Sequence, residues 1–257
     1  PAVLVGADER LRRLNAPAHP ERRTIMTLHR WLLALAAAAL ALPAAAQTTG
    51  TLKKIADSRS ITFGYRADAV PFSFRDGNGQ PSGYSVDLCR RIAAAVERTL
   101  NISRLDVKWV PVTPENRVPQ VTSGAVDLEC GVTTVPLGRQ QQVDFSNLIF
   151  VEGGSMLIRA EGGPQRLADL AGKTVGVLAG TTTETRLRAM LKERLIDARV
   201  VNVKDERDGA AAVMDKRIDA FAGDRVVLLG VGLTAGGGNV LSLMQEDFSL
   251  EPYGLMM

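Results

Sequence analysis

Two stretches of this sequence are built alike, and that likeness limits the fold more than any other feature of the chain. In the first, Ser123-Gly124 closes a helical segment, Val126-Asp127 turns a corner, and the short apolar run 126–130 stops at Gly131 ahead of Thr133 and Thr134. In the second, a helical segment through Lys216 precedes Ile218-Asp219, and Ala220-Phe221-Ala222 stops at Gly223-Asp224. A short apolar run bounded by turn residues reads as a buried strand. Helix, acidic corner and strand occurring twice predict two α/β units. Each would present polar groups where a strand ends, the edge at which open α/β sheets gather ligand groups. One unit delivers hydroxyls there and the other a carboxylate.

The remaining elements follow from periodicity and punctuation. Ile61, Phe63 and Tyr65 alternate with Thr62 and Gly64, a period-two strand that ends at Arg66. A turn at 76–79 leads to a helix with Ser85 as its N-cap and Leu88, Ile92 and Val96 as its buried stripe. The strand 107–112 runs to Thr113, expected to cap a helix opened by Pro114 and Glu115, which places Arg117 near Arg66 and Thr134. In the second unit, the strand 174–178 runs into Ala179-Gly180-Thr181-Thr182-Thr183-Glu184. A helix start of this kind can seat an anion on its free N–H groups, and it is equally an ordinary cap. A strand at 199–203 precedes a charged loop, 204–208, expected to be solvated, and then a helix over 209–216. A strand at 240–244 and a return segment at 251–254 complete the chain.

The first 46 residues stand apart from this scheme. Arg22, Arg23 and Arg30 precede an apolar run at 31–42, then Pro43 and Ala44-Ala45-Ala46, the order of a secretory signal peptide with cleavage expected before Gln47. Met26 is the expected initiation site, which makes residues 1–25 an upstream extension. Six arginines against three acids in that leader supply the whole formal surplus of +3, so the mature chain is balanced. The basic pI therefore does not point to nucleic acid. His19 and His29 also lie in the leader, which excludes a Ser-His-Asp triad, a Cys-His pair or a histidine metal site in the mature chain. No cofactor is implied. Gln47 at the new N-terminus argues against a lipid anchor. Cys89 and Cys130 would then lie where disulfides are permitted, either paired or as two buried thiols.

The chemistry concentrates in residues 127–146. Thr133 and Thr134 stand at a strand end with Arg139 five residues on, hydroxyls followed by a forked cation suited to a carboxylate. Taken with Pro71-Phe72-Ser73-Phe74, Gly83-Tyr84-Ser85-Val86-Asp87, Asn116-Arg117-Val118-Pro119, Asp144-Phe145-Ser146 and Asp169-Leu170-Ala171-Gly172-Lys173, the order and spacing carry a family likeness. The chain resembles the extracytoplasmic solute-binding proteins of polar amino-acid ABC importers, most closely their glutamate/aspartate-binding branch.

That resemblance implies the two-lobed type II periplasmic-binding-protein fold, α/β, with two segments crossing between lobes. Lobe 1 would hold 47–152 completed by 245–257, and lobe 2 would hold 153–244. The family continues beyond the Tyr253-Gly254 segment with more strand and helix, so the first lobe is expected to be incomplete. The resemblance further implies that Arg139, with Thr134 and the N–H of Thr181, holds a ligand α-carboxylate, that Asp224 takes the α-ammonium, that Arg66 and Arg117 hold an acidic side chain, and that Thr133 belongs to the same ligand-binding set. The chain departs from the branch at Pro114, Val132 and Leu178, where hydroxyls are lost, and at Glu206, which stands where a ligand-facing histidine is expected. Glu206 could neutralise Arg66 or Arg117 and favour an amide ligand, or point to solvent and change nothing.

The reading is thus a monomeric, non-catalytic periplasmic carrier of glutamate, aspartate or their amides, delivering to membrane permease subunits. A dehydratase-like enzyme on the same clamp, using Glu206 or Asp224 as its acid, and a sensory ectodomain are the alternatives.

Overall fold

The structure, a computed structural model, describes residues 49–257; the leader and its signal-peptide reading lie outside them. The first lobe opens with helix α1 (Gly50–Ser58) and strands β1 (Ser60–Tyr65), β2 (Asp68–Ala69), β3 (Ser73–Arg75) and β4 (Pro81–Ser82). Helix α2 (Tyr84–Leu100), β5 (Asp106–Pro111), α3 (Arg117–Thr122), β6 (Leu128–Glu129) and the short α4 (Leu137–Gln140) follow. The chain crosses on β7 (Phe150–Arg159) and, after a 3₁₀ turn at Leu167–Leu170, builds β8 (Thr174–Leu178), α5 (Thr182–Glu193) and β9 (Arg199–Val203). Helix α6 (Glu206–Met214), β10 (Ala220–Asp224), α7 (Arg225–Thr234), β11 (Leu241–Leu243) and the returning β12 (Ser249–Tyr253) complete it.

Each lobe has its own sheet. In the first, β5-β1-β6 are all parallel, with Ser60 opposite Asp106 and Phe63 opposite Leu128. In the second, β10, β8 and β9 run parallel, and β7 lies antiparallel to β10 and β11. The N-terminal half of β7 pairs antiparallel with β12, so this two-stranded ribbon is the crossing piece between the sheets. Successive side chains of β7 alternate faces. Met156 and Ile158 join Leu187 and Met190 of α5 in one core, while Leu157 joins Val213 of α6 and Leu228 of α7 in the other. A sheet covered on both faces is what a near-continuous apolar strand requires.

The sequence echo has a bonding basis. Asp127 accepts from the Thr62 N–H and donates its own N–H to the Thr62 carbonyl, and Asp219 does the same with Thr174. The corner aspartate in each lobe thus fixes the start of a parallel strand.

Four expectations are corrected. The helix expected to open at Pro114 begins at Arg117, after a turn at 114–116 in which the Thr113 hydroxyl accepts from the Asn116 N–H. The buried stripe of α2 is Val86, Cys89 and Ala93, with Leu88, Ile92 and Val96 half-buried beside it. The rotation follows from a disulfide between Cys89 and Cys130, whose Cα atoms lie 6.2 Å apart, which settles the alternatives left open for these cysteines. The cap of α2 is Gly83, not Ser85: its φ of 118° and a Cβ that would collide with the Phe72 carbonyl both demand glycine. Lastly, 204–208 is not a solvated loop, because Asp205 accepts from the Asp208 N–H and starts α6 three residues early.

Candidate functional site

Every functional side chain singled out in the sequence lies just beyond the carboxyl end of a strand, or in the helix turn that follows. Arg66 follows β1, Arg117 begins α3 after β5, and Thr133 and Thr134 follow β6. From the second lobe come Thr181 after β8, Glu206 after β9, and Asp224 at the end of β10. Parallel strands aim these ends the same way, so six of them meet: Arg66, Arg117, Thr134, Thr181, Glu206 and Asp224 line one cavity of about 20 Å³. That is room for about one water. Val132 and Leu178 supply its apolar wall. Arg66 and Leu178 also border a wider space of about 380 Å³ at the cleft mouth, where Pro114 lies.

Thr133 and Arg139 do not line this cavity. Thr133 is fully buried behind it, accepting from Arg117 Nη1 at 2.7 Å and donating to Glu129 Oε2 at 2.7 Å. It positions Arg117. Arg139 is half-buried and spans two backbone carbonyls, Thr134 at 3.1 Å and Gly180 at 3.4 Å, one from each lobe. These use two of its five N–H donors. The Thr181 hydroxyl is also committed, accepting from the Glu184 N–H as the cap of α5 and donating to the Leu178 carbonyl.

The two cleft arginines are balanced differently. Arg66 is 3% exposed and bonds Asp68 through Nε and Nη2, with Glu206 Oε1 at 3.8 Å. Burial works against its charge, but Asp68 and then Glu206 more than offset that, and its pKa lies above the ordinary value. Arg117 is buried without an adjoining carboxylate; burial first, then the like charge of Arg139, lower its pKa to about 10. Burial also lowers that of Arg139, against the pull of Glu129.

Acids that the sequence reading passed over surround these cations. Asp68 accepts from Arg66 and, across the cleft, from the Glu206 N–H at 3.1 Å. Glu251, 1% exposed on β12, accepts from the hydroxyls of Thr134 and Thr182, each at 2.7 Å. Asp224 accepts from Thr183 at 2.9 Å and from the Tyr253 hydroxyl. Burial, then Glu251, raises the Asp224 pKa to about 6. Burial, then Asp224, raises that of Glu152 to about 7. Glu206 rises to about 8 through burial, with Arg66 pulling it down and Asp68 and Asp224 pushing it up. Thr182 and Thr183 were visible in the sequence as neighbours of Thr181; Glu152, Glu251 and Tyr253 gave no local signal, because only the β7–β12 pairing brings them to the cleft.

Among the described residues no cluster of three or more His, Cys, Asp or Glu could hold a metal, and no helix is long and apolar enough to cross a membrane. The arrangement suits a small molecule carrying both charges: an anion finds Arg117 and the unpaired N–H groups of the first turn of α5, and a cation finds Asp224.

Comparison with known proteins agrees with this chemistry. Residues 61–225 match the family model of bacterial extracellular solute-binding proteins, family 3. The chain is 39% identical over 226 residues to the L-glutamate/L-aspartate-binding protein of Pseudomonas aeruginosa, covering 87% of this chain and 75% of the relative. It is 37% identical over 207 residues to the glutamate/aspartate import solute-binding protein of Salmonella typhimurium, covering 80% and 68%. Among solved structures, an ancestral arginine-binding protein bound to arginine superposes with a TM-score of 0.68 at 27% identity, covering 77% of this chain and 84% of that one. An ABC transporter/periplasmic binding protein from Brucella ovis with glutathione bound gives 0.73 at 26% identity, covering 82% and 65%.

Proposed function

Because the chain belongs to family 3 of the bacterial extracellular solute-binding proteins, we propose that it captures one polar amino acid, glutamate, aspartate or an amide of these, between its lobes and delivers it to the permease of an ABC importer. It acts as a monomer in the periplasm, reached through the signal peptide expected in residues 1–46. It carries its ligand unchanged.

One arrangement supports this reading above the rest. Asp224 of the second lobe and Arg117 of the first face one enclosed space, so opposite charges approach a ligand from opposite lobes. A zwitterion satisfies both at once. In this assignment Asp224 takes the α-ammonium, Arg139 and the N–H groups near Thr134 and Thr181 take the α-carboxylate, and the side chain extends toward Arg66 and Arg117. Only the closed state makes all of these contacts, so the ligand shifts the population toward closure by its differential affinity. The small cavity volume means that the lobes must part to admit it.

A thermal-shift panel of the twenty amino acids tests the proposal, since a ligand that binds only the folded state raises Tm with its concentration. At a hundredfold excess over Kd, about 2.7 kcal/mol of stabilisation is expected for the true ligand, or roughly 5–10 °C in a chain this size. Arg139→Ala should abolish that shift. A panel in which no polar amino acid moves Tm would overturn the reading.

A further inference from the structure

We propose that Arg117 and Glu206 together read a side-chain carboxamide, so that the cleft prefers glutamine or asparagine and admits the corresponding acid only when a proton comes with it. This rests on the polar amino-acid reading above and makes it more specific.

The primary observation is a pair of unpartnered atoms. Arg117 Nε and Glu206 Oε2 are buried side-chain atoms without a hydrogen-bond partner among the described residues, and both residues line the same cavity. Arg117 is 2% and Glu206 6% exposed, so bulk water does not serve them. Leaving such atoms unpaired is costly, which favours a ligand that satisfies both. One is a donor and the other, when ionised, an acceptor. A carboxamide offers a carbonyl oxygen to the first and an N–H to the second. A carboxylate offers acceptors only, and it would set a lone pair against the lone pairs of Glu206.

The charge around Glu206 points the same way. Facing it are Arg66 and Asp68 from the first lobe, Asp224 from β10, and Asp205 from the cap of its own helix. Arg66, the one cation of that group, already bonds Asp68 through two nitrogens. A further carboxylate drawn to Arg117, which has no adjoining carboxylate, would stand in a dry site beside ionised Glu206. It becomes acceptable once Glu206 is protonated, because the carboxyl group then donates a hydrogen bond to it. Burial holds the Glu206 pKa at about 8, so that proton is available in neutral solution and is lost above it.

The test is isothermal calorimetry of the whole protein with glutamine, asparagine, glutamate and aspartate at pH 6.5 and pH 9.0. The readout is the ratio of acid to amide Kd, since each pair shares an α-carboxylate and an α-ammonium. The ratio should rise at least about tenfold between the two pH values, following one proton taken up with the acid. In Glu206→Gln, which has no proton to gain or lose, the ratio should not change with pH. A wild-type ratio that is flat with pH, or an acid that binds more tightly than its amide at pH 9.0, overturns the proposal and leaves the carrier reading intact. Failure of all four to bind at either pH overturns both. Should Glu206→Gln not fold, the wild-type series alone decides.

Discussion

Thr134 of the first lobe and Thr182 of the second hold their hydroxyl oxygens 3.1 Å apart and donate to the same carboxylate oxygen of Glu251. The two lobes are therefore fastened at the back of the cleft by a group on the crossing ribbon.

Removing that group should loosen the fastening. Glu251→Ala leaves two hydroxyls without their shared acceptor, at a cost of about 1–3 kcal/mol. Urea unfolding should show this loss, and small-angle scattering of the ligand-free protein should show a larger radius of gyration. Glu251→Gln keeps an acceptor oxygen and should lie between.

The disulfide closes a loop with a sequence separation of 41 residues. Chain-entropy reasoning puts its contribution at about 4 kcal/mol, so Cys89→Ser with Cys130→Ser should lower Tm by roughly 10 °C. Reductant should lower the wild-type Tm similarly and leave the double variant unmoved.

Gly131 leaves no space for a side chain. A Cβ there would collide with Glu129 Oε1 and press on Arg66 Cγ at 3.2 Å. Glu129 is fully buried and fixes Thr133, which fixes Arg117. Gly131→Ala should therefore weaken ligand binding at least about tenfold, equivalent to about 1.4 kcal/mol, in a calorimetric titration.

Glu152 and Asp224, with pKa values raised to about 7 and about 6, bind protons more tightly folded than unfolded. The unfolded chain releases those protons first, near pH 4, and Glu206, raised to about 8, adds to the effect, so stability declines as pH rises and levels off only above pH 8. The slope should be on the order of 1 kcal/mol per pH unit in ligand-free protein. Glu152→Gln should flatten it near pH 6–7, as read by denaturant midpoints.

Much of this architecture is legible in the sequence, for identifiable reasons. The strands at 174–178 and 199–203 are bounded as expected because valines, at 175 and 177 and at 200, 201 and 203, fall between turn and charged residues. Six cleft residues meet because each ends a strand or starts the next helix, and parallel strands end on one edge. The buried stripe of α2 was misjudged by one residue because hydrophobic spacing alone weighs Leu88 over Cys89, and the disulfide decides otherwise. The 204–208 stretch was misread through its charge, although Asp205 and Asp208 at a spacing of three carried a capping signal. Glu129 gives no local signal of its own, because its role depends on the bend that brings Thr133 back over it.

The Glu129 N–H bonds the Met256 carbonyl, Ser146 bonds that of Leu255, and Asp144 bonds that of Met257. The first lobe is thus knit together by chain made long after its own strands, whereas the sheet built from β7 to β11 comes from one uninterrupted stretch. A chain emerging from its N-terminus therefore presents every strand from β7 to β11 before it presents the three residues that tie off the half begun first.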